Sequence, residues 1–158
     1  HPHQWLEEAI ALVGSQRALL AVAEEPETVA QLYESPHLGA FQTYAAAERA
    51  KWPDNPLLTS QLPGWLAEHC SLLCDHTQQH SRAARQLQGS IADWMLRHCD
   101  VKQLFLALKH LNEGELDPWS ASFESYLSGW HNACTRPQQR EQVAIIRDAF
   151  ITPEESLR

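Results

Sequence analysis

The sequence predicts an all-α protein, a helical bundle of about four long helices with short accessory helices. Glycine is scarce, at six of 158 residues, whereas Ala, Leu, Gln and Glu, which lose little rotamer freedom in a helix, are plentiful. Several long segments repeat apolar residues at helical spacing, and none shows sustained strand alternation or an Asn-Gly hairpin turn. The length suits one domain, which we place at residues 1–150.

The first half of the chain contains three predicted helices. Residues 4–24 place apolar side chains on one helical face, and a short second helix is expected at 27–33, after a proline that suits a helical start. Ser35-Pro36 opens a third helix, which continues through "HLGAFQTYAAAERAKW". The stretch "WPDNP", in which two prolines flank turn-forming residues, ends it.

A long helix is predicted next, over residues 63–88. Gly89 suits its C-terminal end, and Ser90 then resembles the cap of a following helix that carries "IADWMLRHC". Asp100, with Gln103 three residues on, is expected to cap a further segment, "VKQLFLALKHL".

Two more helices complete the predicted bundle. After a loop at "NEGELD", Asp117-Pro118 is a start signal for a helix to about Ala133. Pro137 opens the last helix, which runs to about Phe150. Residues 151–158, "ITPEESLR", have the pattern of a helix opening, so they are expected to begin a following helix or linker.

Composition excludes two classes of partner. The formal net charge is -8, and 12 Lys and Arg residues are spread along the chain, which argues against nucleic acid. No apolar run is long enough to span a bilayer, so no membrane insertion by this segment is expected. A cytoplasmic location is predicted, although the opening His-Pro-His in place of Met is compatible with a missing upstream signal or membrane segment.

The four cysteines are predicted to be reduced. Cys70 and Cys74 lie one helical turn apart in a helix-like stretch, a geometry poorly suited to bridging each other. The chain is also too large to need a disulfide scaffold, and reduced thiols agree with a cytoplasmic protein.

Nine histidines are the most unusual feature of the composition. On a helical wheel, the three in the predicted 63–88 helix share its apolar face, whereas His110 points away from neighbouring leucines and is expected to be solvated. Inward faces of bundle helices meet each other. The wheel therefore predicts a shared interior for a set of five residues: His69, His76, His80, His98 and Cys134.

A metal site is one interpretation of this set. His76 and His80 form an i, i+4 pair, about 6 Å apart, that can bind one ion from a single helix face. Zinc, which suits mixed N/S ligands, would need one or two more from other helices. The candidates for those positions are His37, Cys99, Cys134 and His3. The alternative is an ordinary core with hydrogen-bonded imidazoles, which would still make the domain responsive to acid.

Two short stretches, "PHLGAF" and the "LPGW" that precedes His76 and His80, carry a family resemblance. They resemble, respectively, the Leu-Gly-x-aromatic half of the cysteine motif and the approach to the paired histidines in the chemoreceptor zinc-binding domain of bacterial chemoreceptors and diguanylate cyclases. The resemblance implies a zinc- or oxidant-responsive helical sensor, with His76, His80 and His3 as ligands. Pro36 stands where the family has its cysteine, so His37 or another cysteine would have to replace it.

No enzymatic motif is present. The sequence contains no Gly-x-Ser-x-Gly, phosphate loop or Gly-x-Gly-x-x-Gly, and the adjacent His98 and Cys99 point about 100° apart on a helix. We therefore expect no enzyme. Trp52, at the break after the third helix, is predicted to be an exposed interface anchor.

The leading hypothesis is a sensory or regulatory domain of a larger bacterial signalling protein. It would respond to a bound metal, redox state or pH and act on an attached output domain, with a homodimer as a compatible assembly. The runner-up is a metal-free protein-binding module, such as an adaptor, a secretion chaperone or an immunity-type protein. That module would work through a surface groove, and its acidic surface would suit a basic partner.

Overall fold

A computed structural model describes residues 1–24, 36–52, 55–78, 80–113 and 121–151. Within these ranges, only the backbone is described for residues 22–24, 36–38, 41 and 42. Over the described ranges the chain is all-helical, without a strand, which confirms the predicted class. A 3₁₀ turn, Thr59–Gln61, precedes the third of the α-helices. These helices are α1 (Gln4–Glu24), α2 (Pro36–Arg49), α3 (Leu62–Leu73), α4 (Arg82–His98), α5 (Val101–Leu108), α6 (Phe123–Ala133) and α7 (Pro137–Phe150).

Several predicted boundaries are confirmed. Helix α1 spans the predicted residues, α2 begins at Pro36, and α7 runs from Pro137 to Phe150. Asp100 caps α5 as expected, because its side chain accepts a hydrogen bond from the Gln103 N–H at 3.1 Å. The predicted helix at 27–33 and residues 152–158 lie outside the described residues.

The predicted helix over 63–88 is wrong, because the chain forms two helices with a turn between them. Helix α3 ends at Leu73, where the Asp75 side chain accepts hydrogen bonds from the backbone N–H and the hydroxyl of Thr77. Ser81 then caps α4 by accepting from the Ala84 N–H at 3.1 Å. Helix α4 continues through Gly89, which is therefore not a helix end.

The start of α6 also differs from the prediction. Ser122 is its N-cap and accepts from the Ser125 N–H at 3.1 Å, so Ala121 and Ser122 precede the helix. The predicted start at Pro118 lies outside the described residues. A serine three residues before a free N–H provides the local cap that begins the helix at Phe123.

The core is formed where α1 packs against α2 and α4, and where α7 packs against α5 and α6. Helix α1 also contacts α5, and α3 contacts α7, so the two groups share one hydrophobic cluster. Aromatic rings occupy its centre: Trp5 lies 5.3 Å from Phe123 and 5.9 Å from Phe150 between ring centroids, and Phe150 also contacts Trp94. Burying each of these rings contributes about 2–3 kcal/mol by its apolar area.

Two tryptophan N–H groups within this core have hydrogen-bond partners. The indole N–H of Trp130 donates to the Ala107 carbonyl at 2.9 Å, and that of Trp94 donates to the Thr59 hydroxyl at 3.1 Å. Such bonds offset the cost of burying a polar group, and here they also link α6 to α5 and α4 to the 3₁₀ turn.

Candidate functional site

His76 and His80 lie in the turn between α3 and α4, and both side chains are exposed. The prediction that they share the inward face of one helix is therefore wrong. Their helical spacing was derived from a continuous helix, and that helix is interrupted at Cys74. Neither imidazole is part of the buried core.

The other predicted interior residues are divided between surface and core. His69 is half-buried and packs edge-on against Trp65, with ring centroids 4.9 Å apart. His98 is exposed and stacks on Trp94 at 5.0 Å. Only Cys134 of the predicted set is buried, at the end of α6. The predicted shared histidine interior is therefore not present among these residues.

Two other histidines are buried instead. His3 Nε2 lies 2.9 Å from the Ala121 carbonyl, and its ring packs against Phe123 and Tyr126. His110 is buried and pairs through Nδ1 with Glu113, so the prediction that it is solvated is wrong. It lies in the turn that follows α5, where the angular position extrapolated from the helix no longer applies.

The predicted metal ligands do not converge within the part of the chain that the structure describes. No group of three or more His, Cys, Asp or Glu side chains there is arranged to hold an ion. The side chain of His37 lies outside the described residues. Burial raises the pKa of Cys99 to about 12 and raises the pKa of the Cys134 thiol, so both thiols are protonated at neutral pH.

Trp52 is buried, so its predicted role as an exposed interface anchor is wrong. Its ring packs over the backbone of Gly89 in α4, and the Arg49 guanidinium lies 4.7 Å from the ring centroid. Arg49 also pairs with Asp93, which in turn accepts from Arg97. These contacts fasten the end of α2 to α4 and leave Trp52 with a structural role.

The end of α3 carries a pair of neighbouring thiols, of which Cys70 is exposed and Cys74 is half-buried. All four cysteines are free, as predicted, yet these two Sγ atoms lie 3.2 Å apart. Desolvation and the hydrogen bond that the Cys74 thiol makes with Cys70 raise the pKa of Cys74 to about 12. The pair is therefore close enough for thiol–disulfide chemistry, with Cys70 the more accessible sulfur.

A surface groove of about 670 Å³, here called the α1–α5 groove, runs between those two helices. Phe105 and Leu106 form one wall, and each keeps more than a third of its surface exposed. Small side chains on α1 form the floor, and Arg17 and Lys102 add positive charge. The lining residues are Ala11, Gly14, Ser15, Arg17, Ala18, Ala21, Val101, Lys102, Phe105 and Leu106.

The sequence contained a signal for this groove that the helical wheel did not use. In "VKQLFLALKHL" most apolar residues lie along one helical stripe, with Phe105 at its edge and Leu106 outside it. Leu104 and Ala107 on that stripe are buried, whereas Phe105 and Leu106 are exposed. Apolar residues at and beyond the edge of the buried stripe indicate a second contact face.

Comparison with protein-family models, curated proteins and solved structures finds no match for this chain. The resemblance to the chemoreceptor zinc-binding domain therefore stays a prediction. None of the described helices has the length and apolar content that crossing a membrane requires.

Proposed function

We propose that this chain is a helical protein-binding module whose working surface is the α1–α5 groove. The observation that supports this proposal is the pair of exposed apolar side chains, Phe105 and Leu106, beside a cavity of about 670 Å³. Exposing such side chains together is unfavourable in water unless a partner covers them. The proposal develops the metal-free alternative derived from the sequence.

The shape of the groove favours an amphipathic helix as its occupant. On α1 the floor residues Ala11, Gly14, Ala18 and Ala21 recur every three to four positions, which is the spacing of one helix face. The Phe105 ring already covers Gly14, and the small side chains of Ala11, Ala18 and Ala21 leave room beside it for another backbone to approach, as at packed helix interfaces. About ten residues of α1 at 1.5 Å each give a floor of roughly 15 Å, enough for about three turns of a partner helix.

The charge of the groove favours acidic residues on that partner. Lys102 lines it, and no described lining residue is acidic. This local charge is opposite to the net charge of -8 of the whole chain. The basic partner expected from the overall composition is thus replaced by an amphipathic helix with acidic residues beside its apolar face.

Peptide selection, followed by substitution of the residues that form the wall of the groove, tests this proposal. Displayed helical peptides that bind the wild-type protein should carry apolar residues at i, i+3 or i+4, and i+7, with flanking acids. The variants Phe105→Ala and Leu106→Ala should each weaken the selected peptides by about tenfold, since each removes about 1–3 kcal/mol of apolar contact. Titration calorimetry measures this loss.

Matched controls use exposed apolar residues outside the groove. Tyr44→Ala and Leu58→Ala remove side chains that are each 56% exposed, and they should leave peptide affinity unchanged. Selected peptides that are insensitive to Phe105 and Leu106 would contradict the proposal. Self-association that disappears in Phe105→Ala would assign the groove to a second copy of this chain instead, and sedimentation velocity detects it.

The Cys70–Cys74 pair favours a second candidate function, regulation by redox state. After losing its proton, the Cys70 sulfur attacks one sulfur of a small disulfide such as oxidised glutathione, and its S–S bond breaks. The first glutathione leaves as a thiolate. Cys74 then gives its proton to water and displaces the second glutathione. The products are a Cys70–Cys74 disulfide and two reduced glutathione molecules, so the protein is oxidised and the disulfide is reduced.

Intact-mass measurement tests this second candidate. Incubation with oxidised glutathione should remove two hydrogens from the wild-type protein, whereas Cys74→Ser should stop at the mixed disulfide on Cys70. The raised pKa of Cys74 predicts that the second step accelerates as pH rises from 7 to 9. Cys99→Ser, which leaves the pair intact, serves as control. Persistence of the mixed disulfide in the wild-type protein would contradict an intramolecular switch.

A further inference from the structure

A second cavity, of about 530 Å³, lies between the end of α2 and the first turn of α4. Four basic groups surround it, and its described lining contains no acidic side chain. The lining residues, here called the basic pocket, are Ala50, Lys51, His80, Arg82, Arg85 and Gln86. The pocket shares no residue with the α1–α5 groove.

The ionic partners of these groups leave most of the positive charge available. Lys51, in the turn after α2, pairs with Glu48 in that helix. Among the described residues, Arg82, Arg85 and His80 take part in no ion pair or side-chain hydrogen bond. Two arginines without a described ionic partner therefore face one cavity in a protein whose net charge is -8.

The position of the arginines on α4 strengthens this charge. Arg82 and Arg85 occupy the first turn of a 17-residue helix that has no acidic residue there. The amino end of a helix already carries partial positive charge, so cations at this position are locally unfavourable. That unfavourable placement is typical of a functional site, where an anionic ligand would convert the repulsion into binding.

We propose that the basic pocket binds a small, multiply charged phosphate compound. Each guanidinium of Arg82 and Arg85 can donate two parallel hydrogen bonds to phosphate oxygens, and Lys51 and His80 can each add a single donor. Four such groups exceed what a single-charge anion requires. The volume of about 530 Å³ also exceeds that of one phosphate group, so the ligand carries further atoms.

Titration calorimetry at low ionic strength, with inorganic pyrophosphate, ADP and citrate as probes, tests this assignment. Pyrophosphate should bind, and added sodium chloride should weaken it because the basic side chains are exposed to solvent. The double variant Arg82→Gln/Arg85→Gln should lower pyrophosphate affinity by about tenfold or more, through loss of charge-assisted hydrogen bonds. Both arginines are exposed, so this variant is expected to keep its fold.

A control variant removes the same number of charges elsewhere. Lys109→Gln/Arg136→Gln changes two exposed basic residues outside the pocket and should leave the affinity unchanged. If both double variants lost pyrophosphate affinity equally, the loss would be due to overall charge, and the proposal would be overturned. Absence of pyrophosphate binding, or citrate binding as tight as pyrophosphate, would also overturn it. Tighter binding of ADP than of pyrophosphate would support it and assign the remaining volume to a nucleoside.

Discussion

At the scale of single residues, Gly89 and Trp52 show how one contact overrides a local signal. Gly89 has the sequence features of a helix end, yet it lies inside α4. A Cβ atom at this position would lie 2.9 Å from Trp52 Cδ1 and 3.0 Å from Cγ. The glycine is thus required by the close approach of an indole ring and not by a turn.

Replacing Gly89 with alanine is expected to destabilise the fold. Alanine improves helix propensity by about 1 kcal/mol, but displacing a buried indole costs about 1–3 kcal/mol. We expect a net loss of about 1 kcal/mol in the free energy of unfolding, measured by urea denaturation.

Gly64→Ala provides the matched control for this prediction. Gly64 lies in α3, and a Cβ atom there would meet nothing within 4 Å. The control should therefore be neutral or stabilising, by up to about 1 kcal/mol. Equal stability of the two variants would show that Trp52 does not restrict position 89.

The histidines illustrate the same difficulty for a candidate site. The wheel assigned His76 and His80 to the core and His110 to solvent, and the structure shows the reverse. All three lie in turns between helices. A wheel relates two side chains only while the backbone repeats at 3.6 residues per turn, so one interruption removes its predictive value.

At the scale of elements, caps determined which boundaries the sequence could predict. Asp100 and Pro137 mark helix starts by local chemistry, and both starts are confirmed. The interruption after Leu73 depends on the competition between a continued helix and the Asp75–Thr77 turn followed by the Ser81 cap. The apolar periodicity of the segment concealed those weaker signals.

Helix α5 packs on the core with one face and lines the α1–α5 groove with another. It has eight residues, and its buried Leu104 and Ala107 attach it to the core. Phe105 and Leu106 then form the outer wall of the α1–α5 groove. Isolated helices of this length are marginal in water, so the groove depends on tertiary packing to hold its wall in place.

At the scale of the whole molecule, buried ionisable groups predict how stability depends on pH. Burial raises the pKa of Cys99 from its ordinary value near 9 to about 12. It also raises the pKa of Tyr126, whose hydroxyl donates to the Glu7 carboxylate at 3.2 Å. In the unfolded chain both groups ionise at lower pH than in the folded protein.

These two groups should therefore leave the free energy of unfolding independent of pH near neutrality, and they should lower it in alkaline solution. Below pH 9 the Cys99 thiol is protonated in both states, and between pH 9 and 12 unfolding releases its proton. Each such group lowers the free energy of unfolding by at most about 1.4 kcal/mol per pH unit. Urea midpoints measured from pH 8 to 11 record the decline.

Variants separate the contributions to this alkaline loss. Cys99→Ala and Tyr126→Phe should each make the fall in stability with pH less steep, whatever their effect on stability at pH 7. Leu58→Ala, an exposed position without an ionisable group, should retain the wild-type slope. An unchanged slope in both of the first two variants would contradict the assigned cause.

The distribution of charge is a property of the whole molecule that composition does not predict. The net charge of -8 indicated a basic partner, but each of the two cavities is lined by basic residues. Lys51 and the α4 arginines are 31 or more positions apart in the sequence, and only the packing of α2 on this end of the molecule brings them to one cavity. Patches of this kind arise from folding.

The sequence by itself determined the all-helical class, the extent of α1 and α7 and the cap of α5, because propensity, proline and capping act over a few residues. Tertiary structure alone decided the burial of Trp52 and His110 and the two cavities. Those features depend on which distant side chains meet, such as Trp52 with Gly89 or Phe105 with Gly14. The free energy of such contacts is set by packing, which no local pattern along the chain encodes.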